Sequence, residues 1–172
     1  MSDGPVLRLL PVLRLRCRAA FPALALVACL AGAAPAAEVN PPLPRATVVV
    51  AGRARMSAEV ARTDRERQLG LSNRRSLGEG EGMLFLFGGV GPASIWMKDM
   101  RFPLDILWIR GGRIVMIKER AQPLRPERAP EIFTAEADSV LEVPAGFAAA
   151  KGISLGDAVT VEGGAAASGG NR

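Results

Sequence analysis

The residues of this chain that could carry chemistry gather in the stretch SIWMKDMRFPLDILWIRGGRIVMIKE, residues 94–119, where charged side chains interrupt a strongly apolar sequence. In an extended strand Trp96 and Lys98 share one face. An aromatic surface beside a cation suits a carboxylate, a sugar or a peptide, so the pair is a candidate ligand platform. The competing interpretation is a packed tryptophan with a lysine whose ammonium reaches solvent at the strand end.

Two carboxylates provide a second kind of candidate. Asp105 could act as a general base or a hard-metal ligand, although a hairpin turn at Gly111 would place it opposite Lys118 as an ordinary ion pair. Glu142 alternates with apolar neighbours and is predicted to point out of the core. Together the two could form a glycosidase-like pair, which needs a separation of roughly 5–10 Å. The alternative is two unrelated carboxylates.

Basic side chains cluster around the stretch TDRERQLGLSNRR, residues 63–75, where they alternate with acidic ones. This pattern is typical of a solvated helix with local ion pairs. Arg74, which follows the helix, stays a ligand-binding candidate.

Residue types exclude several chemistries. The chain has no histidine, and its cysteines, Cys17 and Cys29, both lie near the N-terminus. Imidazole-based triads and zinc sites are therefore excluded, and a mature chain without that segment has no thiol chemistry. The methionines lie in apolar runs and are predicted to pack in the core rather than bind copper. We predict no metal and no cofactor.

The first 36 residues have the order of an export signal: basic residues, an apolar run of about a dozen residues and the small-residue motif Ala34-Pro35-Ala36. We expect cleavage after Ala36 and a periplasmic or secreted protein. Leu26 to Cys29 also resembles a lipobox, which would leave a lipid-anchored Cys29 at the cell envelope. Membrane contact is expected only through this segment or that lipid.

Charge gives little reason to expect a nucleic-acid partner. The whole chain has a net charge of +5, but 18 basic and 16 acidic residues follow position 37, a net charge of +2. A nearly neutral domain produces no strong field toward a polyanion. The expected partner is a small ligand or an envelope protein, and the sequence does not indicate an oligomeric state.

Short apolar runs separated by turn residues predict a mostly β domain over residues 46–162, between a proline-rich linker (37–45) and a flexible tail (163–172). Thr63 and Glu66 form a capping-box pattern for a helix that stops at Gly70. Gly111-Gly112 predicts a two-residue hairpin turn with register pairs that sum to 223. A loop is expected at residues 88–92, and a strand from Ser139 to Pro144. The fold expected is a compact antiparallel β-sandwich or barrel, jelly-roll-like, with one or two short helices.

The motif order VARTDRERQLGLSNR, GMLFLF, IWMKDMRFPLDILWI and VLEVPAG…GISLGD resembles domain-of-unknown-function family 192. The resemblance covers about Val48 to Val161. It implies a compact β fold, often exported in bacteria, and no assigned activity. The sequence departs from the family pattern at Ser72, Ile95 and Asp99-Met100, which alters polarity near Lys98.

Three hypotheses result. The first is an exported ligand- or partner-binding β domain that is not an enzyme. The second is a hydrolase of an envelope polymer that uses Asp105, Glu142 and Lys98. The third is a structural accessory protein without a small ligand. A cleft that unites Trp96, Lys98, Arg74 and a carboxylate would favour the first two hypotheses.

Overall fold

The computed structural model describes residues 37–125, 127 and 129–163. The predicted signal and residues 164–172 of the predicted tail lie outside the described residues. In chain order the elements are β1 (Arg45–Val50), β2 (Ala54–Ala61), α1 (Asp64–Leu69), β3 (Glu81–Trp96), β4 (Leu104–Arg110), β5 (Arg113–Ala121), β6 (Ile132–Pro144), α2 (Phe147–Ala150) and β7 (Val159–Glu162). No helix within this described part is long and apolar enough to cross a membrane.

All seven strands form one curled sheet in the order β5-β4-β6-β3-β2-β1-β7. Every neighbouring pair is antiparallel except β2 and β3, which run parallel. The two ends of the sheet meet where Ile114 N–H donates to the Asp157 carbonyl (3.0 Å) and Val159 N–H donates to the Gly112 carbonyl (2.8 Å). The mostly β, barrel-like fold with two short helices is confirmed.

Both faces of the sheet are buried. One core cluster lies around Trp108 and includes Phe85 and Ile106; the other includes Leu107 and Leu141. Successive residues of a central strand therefore enter two different cores, because side chains alternate between the faces of a sheet. For this reason an apolar–polar alternation on β4 or β6 does not identify a solvent face.

The hairpin turn at Gly111-Gly112 is confirmed, with φ of 58° and 71° at its two glycines. Ile109 pairs with Ile114, as the predicted register requires. The register shifts immediately beyond that pair, so that Ile106 rather than Asp105 faces Lys118. The predicted register is therefore wrong beyond the first pairs, since an irregularity in the ladder displaces one strand by a residue.

Two strands are longer than predicted. The expected loop at residues 88–92 lies inside β3, where the pairing with β6 shifts between Leu86 and Gly91 without ending the strand. Strand β6 begins at Ile132, well before Ser139. Glycines that looked like a loop thus form an irregularity within one long strand pair.

Helix α1 has the predicted boundaries. The Thr63 hydroxyl accepts from Glu66 N–H (3.2 Å), and the Glu66 carboxylate accepts from Thr63 N–H (2.9 Å). The helix ends at Gly70, whose φ of 48° favours glycine. A Cβ at this position would lie 3.3 Å from the Phe85 ring, so the glycine also permits the close approach of α1 to β3.

The predicted linker packs on the domain instead of standing apart from it. The Asn40 side-chain amide donates to the carbonyls of Glu66 (2.9 Å) and Gly70 (3.0 Å) at the C-terminal end of α1, where the Glu66 carbonyl also accepts from Gly70 N–H (2.8 Å). Leu43 belongs to the Trp108 core cluster. Residues 40–43 thereby hold α1 against the sheet.

Candidate functional site

A cavity of about 230 Å³ lies between α1, the turn that follows it and the C-terminal half of β3. We call it the α1 cavity. Strand β2 pairs with β3 only as far as Phe85, so another element can cover the rest of that β3 edge. The lining comprises the polar residues Asp64, Arg67, Gln68, Ser72, Ser94, Lys98 and Glu142 and the less polar residues Leu69, Gly70, Leu71, Phe85, Ile95, Trp96 and Met100.

Glu142 is the unusual member of this lining. It is 5% exposed and lies on β6 between Met83 of β3 and Ile106 of β4, both core residues of the Trp108 cluster. Burial alone raises the pKa of its carboxyl group to about 8, because no described cation or hydrogen-bond donor offsets the desolvation. The side chain is therefore mainly protonated at pH 7 and presents an O–H donor.

The prediction that Glu142 points out of the core is wrong. Its neighbours Leu141 and Val143 enter the Leu107 core cluster, and Glu142 enters the opposite, equally buried face. Side chains do alternate between the two faces of β6 as the sequence indicates, but both faces of the sheet are buried at this position.

Trp96 and Lys98 lie at the mouth of the cavity. The Trp96 side chain is 46% exposed, and the Lys98 ammonium lies 5.3 Å from the centre of its ring. No carboxylate among the described residues forms a salt bridge with Lys98. The Ser72 hydroxyl donates to the Lys98 carbonyl (3.3 Å), which connects the turn after α1 to this lysine. The cavity is therefore lined by the Trp96 ring and by the Lys98 ammonium, which forms no salt bridge with a described residue.

A second, smaller cavity of about 160 Å³ lies on the other side of this pair. Trp96 and Lys98 line it together with Phe133 and part of the polar connection between β5 and β6. Trp96 thus lines both cavities.

Arg67 forms part of the α1 cavity wall, although its sequence context indicated a solvated helix. Its guanidinium donates to the Leu86 carbonyl (2.7 Å), forms an ion pair with Asp64 and lies 5.4 Å from the Phe87 ring centre. This role could not be predicted from the sequence, because an Asp64–Arg67 spacing is also that of an ordinary surface pair. The charge of Arg67 is locally compensated.

Arg74 does not reach the α1 cavity. Its guanidinium makes a two-point contact with the Glu59 carboxylate at 2.6 and 2.9 Å. That hydrogen bonding lowers the pKa of Glu59, which is 8% exposed and also accepts from Leu43 N–H (3.3 Å). Arg74 is therefore part of a nearly buried ion pair that ties the turn after α1 to β2. Sequence analysis missed Glu59, since alternation along β2 made it look solvent-facing.

Asp105 also lies elsewhere, and its predicted ion pair with Lys118 is wrong. The Asp105 side chain is fully buried, and its carboxylate accepts from the backbone N–H groups of Arg120 (2.8 Å), Gly146 (3.0 Å) and Ala148 (2.9 Å). It joins the end of β5 to the start of α2. Lys118 instead lies 3.6 Å from a Glu131 oxygen.

The proposed carboxylate pair does not form. Ile106 is the register partner of Glu142, and Asp105 is the next residue along β4, so the two carboxylates project from opposite faces of the sheet. Asp64 is the other carboxylate in the cavity lining, and its side chain is fully exposed and paired with Arg67. Among the described residues, no three acidic side chains converge as a metal site. The geometry brings together Trp96, Lys98 and Glu142, and it leaves Arg74 and Asp105 outside.

Two solved structures resemble this fold. A crystal structure from Sinorhizobium meliloti 1021, provisionally assigned as a transcription regulator, has 32% sequence identity and a TM-score of 0.65, and the match covers 71% of this chain and 97% of that one. A protein of unknown function from Novosphingobium aromaticivorans DSM 12444 has 35% identity and a TM-score of 0.62, with 73% and 92% covered. No curated protein matches.

The family comparison agrees with the motifs that suggested it. The model of DUF192, described as an uncharacterized ACR, matches residues 46–161, which contain every strand except the first residue of β1 and the last of β7. The chain therefore belongs to the DUF192 family.

Proposed function

We propose that this protein is an exported module that binds a small ligand in the α1 cavity and performs no catalysis of its own. The observation that supports the proposal is Glu142, a buried carboxyl group with no described partner, at a cavity whose mouth carries Trp96 and Lys98.

No fully buried side-chain oxygen among the described residues lacks a hydrogen-bond partner, so the Glu142 oxygens, which have no such partner, are reached through the cavity. Moving a polar group out of water without a new hydrogen bond costs roughly 1–3 kcal/mol in proteins, and an apolar side chain of similar size would avoid that cost. A ligand that accepts a hydrogen bond from Glu142 would recover part of it. Strongly perturbed carboxyl groups at cavities are for this reason candidates for function.

The hydrolase hypothesis loses its chemical basis in this geometry. It required two carboxylates near one bond, and Asp105 and Glu142 project from opposite faces. The hypothesis of an accessory protein without a ligand does not explain why the α1 cavity is present. The assignment of the Sinorhizobium meliloti protein is not carried over, because residues after position 37 have a net charge of only +2.

Export is supported by the basic, apolar and small-residue order of the first 36 residues. The test is the mass of the native protein from its own cells. An N-terminus at Ala37, or a lipidated Cys29, would support export, whereas an intact chain starting at Met1 would contradict it.

Ligand binding can be tested by NMR with ¹³C-methyl methionine. Met100 lines the α1 cavity and Met56 lies in the Leu107 core cluster, so one signal reports on the site and the other on the fold. The probes are small carboxylates, amides and amines of about eight non-hydrogen atoms, a size suited to a cavity somewhat larger than one that holds benzene.

We expect at least one chemical class to shift Met100 and leave Met56 unchanged. Ser94→Phe would fill the cavity mouth and abolish the shift, and Thr160→Phe on the exposed face of β7 is the matched control. If no class shifts Met100, or if Ser94→Phe has no effect, the proposal is wrong.

A further inference from the structure

The inference concerns the chemical class of the ligand and rests on the proposed function of the α1 cavity. We propose that the cavity binds a small monocarboxylic acid that carries a second oxygen, such as a keto or hydroxyl oxygen, on a short apolar body. The carboxylate pairs with Lys98 at the mouth, and the second oxygen accepts the hydrogen bond of Glu142.

The charge of the lining selects an anion. Four lining residues are ionisable: Asp64, Arg67, Lys98 and Glu142. Asp64 and Arg67 neutralise each other in an ion pair, and burial keeps Glu142 mainly neutral at pH 7. The Lys98 ammonium remains, which leaves the cavity with one net positive charge. A cationic ligand would be repelled by the Lys98 ammonium. It could pair with Glu142 only after that carboxyl group had lost its proton.

The position of Lys98 favours a carboxylate at the mouth rather than in the interior. Its ammonium lies over the Trp96 ring, where it keeps its hydrogen-bond donors available, and among the described residues it has no ion-pair partner. An anion bound there stays partly hydrated and so avoids the full cost of desolvation. The exposed Trp96 ring provides apolar contact beside it.

Glu142 specifies the second group. A protonated carboxyl donates one hydrogen bond, and its apolar surroundings on β6 leave no described group to accept it. An apolar ligand atom at this place would leave that donor unpaired, whereas a keto or hydroxyl oxygen satisfies it. Phe85, Leu71 and Ile95 are apolar members of the same lining, which suits a short hydrocarbon body.

The volume limits the size of this ligand. A cavity of about 150 Å³ accommodates benzene, so 230 Å³ suits about eight to ten non-hydrogen atoms. 4-Oxopentanoate has a suitable size and both oxygen functions. Two matched probes change one property each: 4-methylpentanoate replaces the keto oxygen with a methyl group, and 4-oxopentanamide removes the negative charge. A third probe, 4-methylpentan-1-amine, is matched to 4-methylpentanoate and reverses the sign of its charge.

The experiment is a titration of the Met100 methyl signal of the full domain with each probe at pH 6.5. We expect 4-oxopentanoate to bind most tightly. The amide should bind at least about threefold more weakly, as the loss of an exposed ion pair implies. 4-Methylpentanoate should bind about fivefold more weakly, because it leaves the Glu142 donor unpaired.

Two variants assign these effects. Lys98→Met should remove the preference for acid over amide, whereas Lys151→Met, an exposed lysine outside the cavity, should not. Glu142→Leu should fold and should remove the preference for 4-oxopentanoate over 4-methylpentanoate. If the amide or the amine binds as tightly as the acid, the ligand class is wrong while the proposed site stands. If no probe shifts Met100, the ligand class and the proposed function both fail.

Discussion

Ionisation of Glu142 should make the unfolding free energy of this protein fall as the pH rises from 5 to 8. Burial raises the pKa of its carboxyl group from 4.5 to about 8 in the folded chain. A raised pKa means that the folded state holds the proton more tightly than the unfolded state. The resulting stability is fully present below about pH 4.5 and is lost as the pH rises through 8.

The magnitude follows from the interval between the two pKa values. Each pH unit well inside it costs about 1.4 kcal/mol, and the units near the two pKa values cost less because titration is gradual there, so the loss between pH 5 and pH 8 is about 3 kcal/mol. The chain contains no histidine, so no imidazole titrates in this window. The pKa of the Glu59 carboxyl group is lowered, which confines its effect on stability to pH values below about 4.5.

Several charged groups on the elements around Glu142 form ion pairs with one another. They are Asp64 and Arg67 on α1, Glu59 and Arg74 beside β2, and Lys118 and Glu131 beside β5. The Glu142→Gln variant keeps every one of these groups. The difference between the stabilities of the two proteins in this range therefore reports on Glu142.

The assay is urea unfolding by far-UV circular dichroism at several pH values, with Glu142→Gln measured in parallel. The glutamine cannot ionise, so the difference between wild type and variant should grow by about 3 kcal/mol from pH 5 to 8 in favour of the variant. Equal slopes for the two proteins would refute the reasoning. They would mean that the Glu142 carboxylate has a stabilising partner or is hydrated.

Three further changes test the structural roles assigned to other charged groups, each by urea unfolding. Asp105→Asn should lower the unfolding free energy by about 3 kcal/mol, because the buried carboxylate accepts hydrogen bonds from three backbone N–H groups. A double-mutant cycle with Lys118→Met should show no coupling, and clear coupling would restore the predicted ion pair. Arg74→Met should lower the unfolding free energy by about 2 kcal/mol, because it removes the two-point contact with Glu59 and leaves only Leu43 N–H and the more distant Arg45 (3.7 Å) as partners; a loss below about 1 kcal/mol would show that water replaces the guanidinium. Thr63→Ala should cost about 1 kcal/mol through loss of the helix cap, and a variant as stable as wild type would contradict the capping box.

Local signals predicted much of the fold. The capping box at Thr63, the stop at Gly70 and the Gly111-Gly112 turn depend on a few consecutive residues, and the structure contains all three. Trp96 and Lys98 were recognisable as a possible binding surface because strand alternation and residue type require only local information.

The remaining errors come from longer-range effects. The sheet is buried on both faces, so alternation could not reveal that Glu142 and Asp105 point into interiors, or that the interiors differ. The shift in the β4–β5 ladder displaces Lys118 by one residue, and no residue type in the hairpin marks it. Glu59 became a partner of Arg74 through contacts between segments distant in the sequence.

The order of strands also has a consequence for how the domain folds as its chain emerges. Strand β1 begins at Arg45 and pairs with β7, which ends at Glu162, so the first strand of the domain acquires its second neighbour only when the last strand is present. The parallel β2–β3 pair and the β4–β6 pair add further contacts between distant parts of the chain. Such a topology closes loops at a high entropic cost and folds slowly. A chain that emerges from its N-terminus onward would therefore stay incompletely folded until β7 is available.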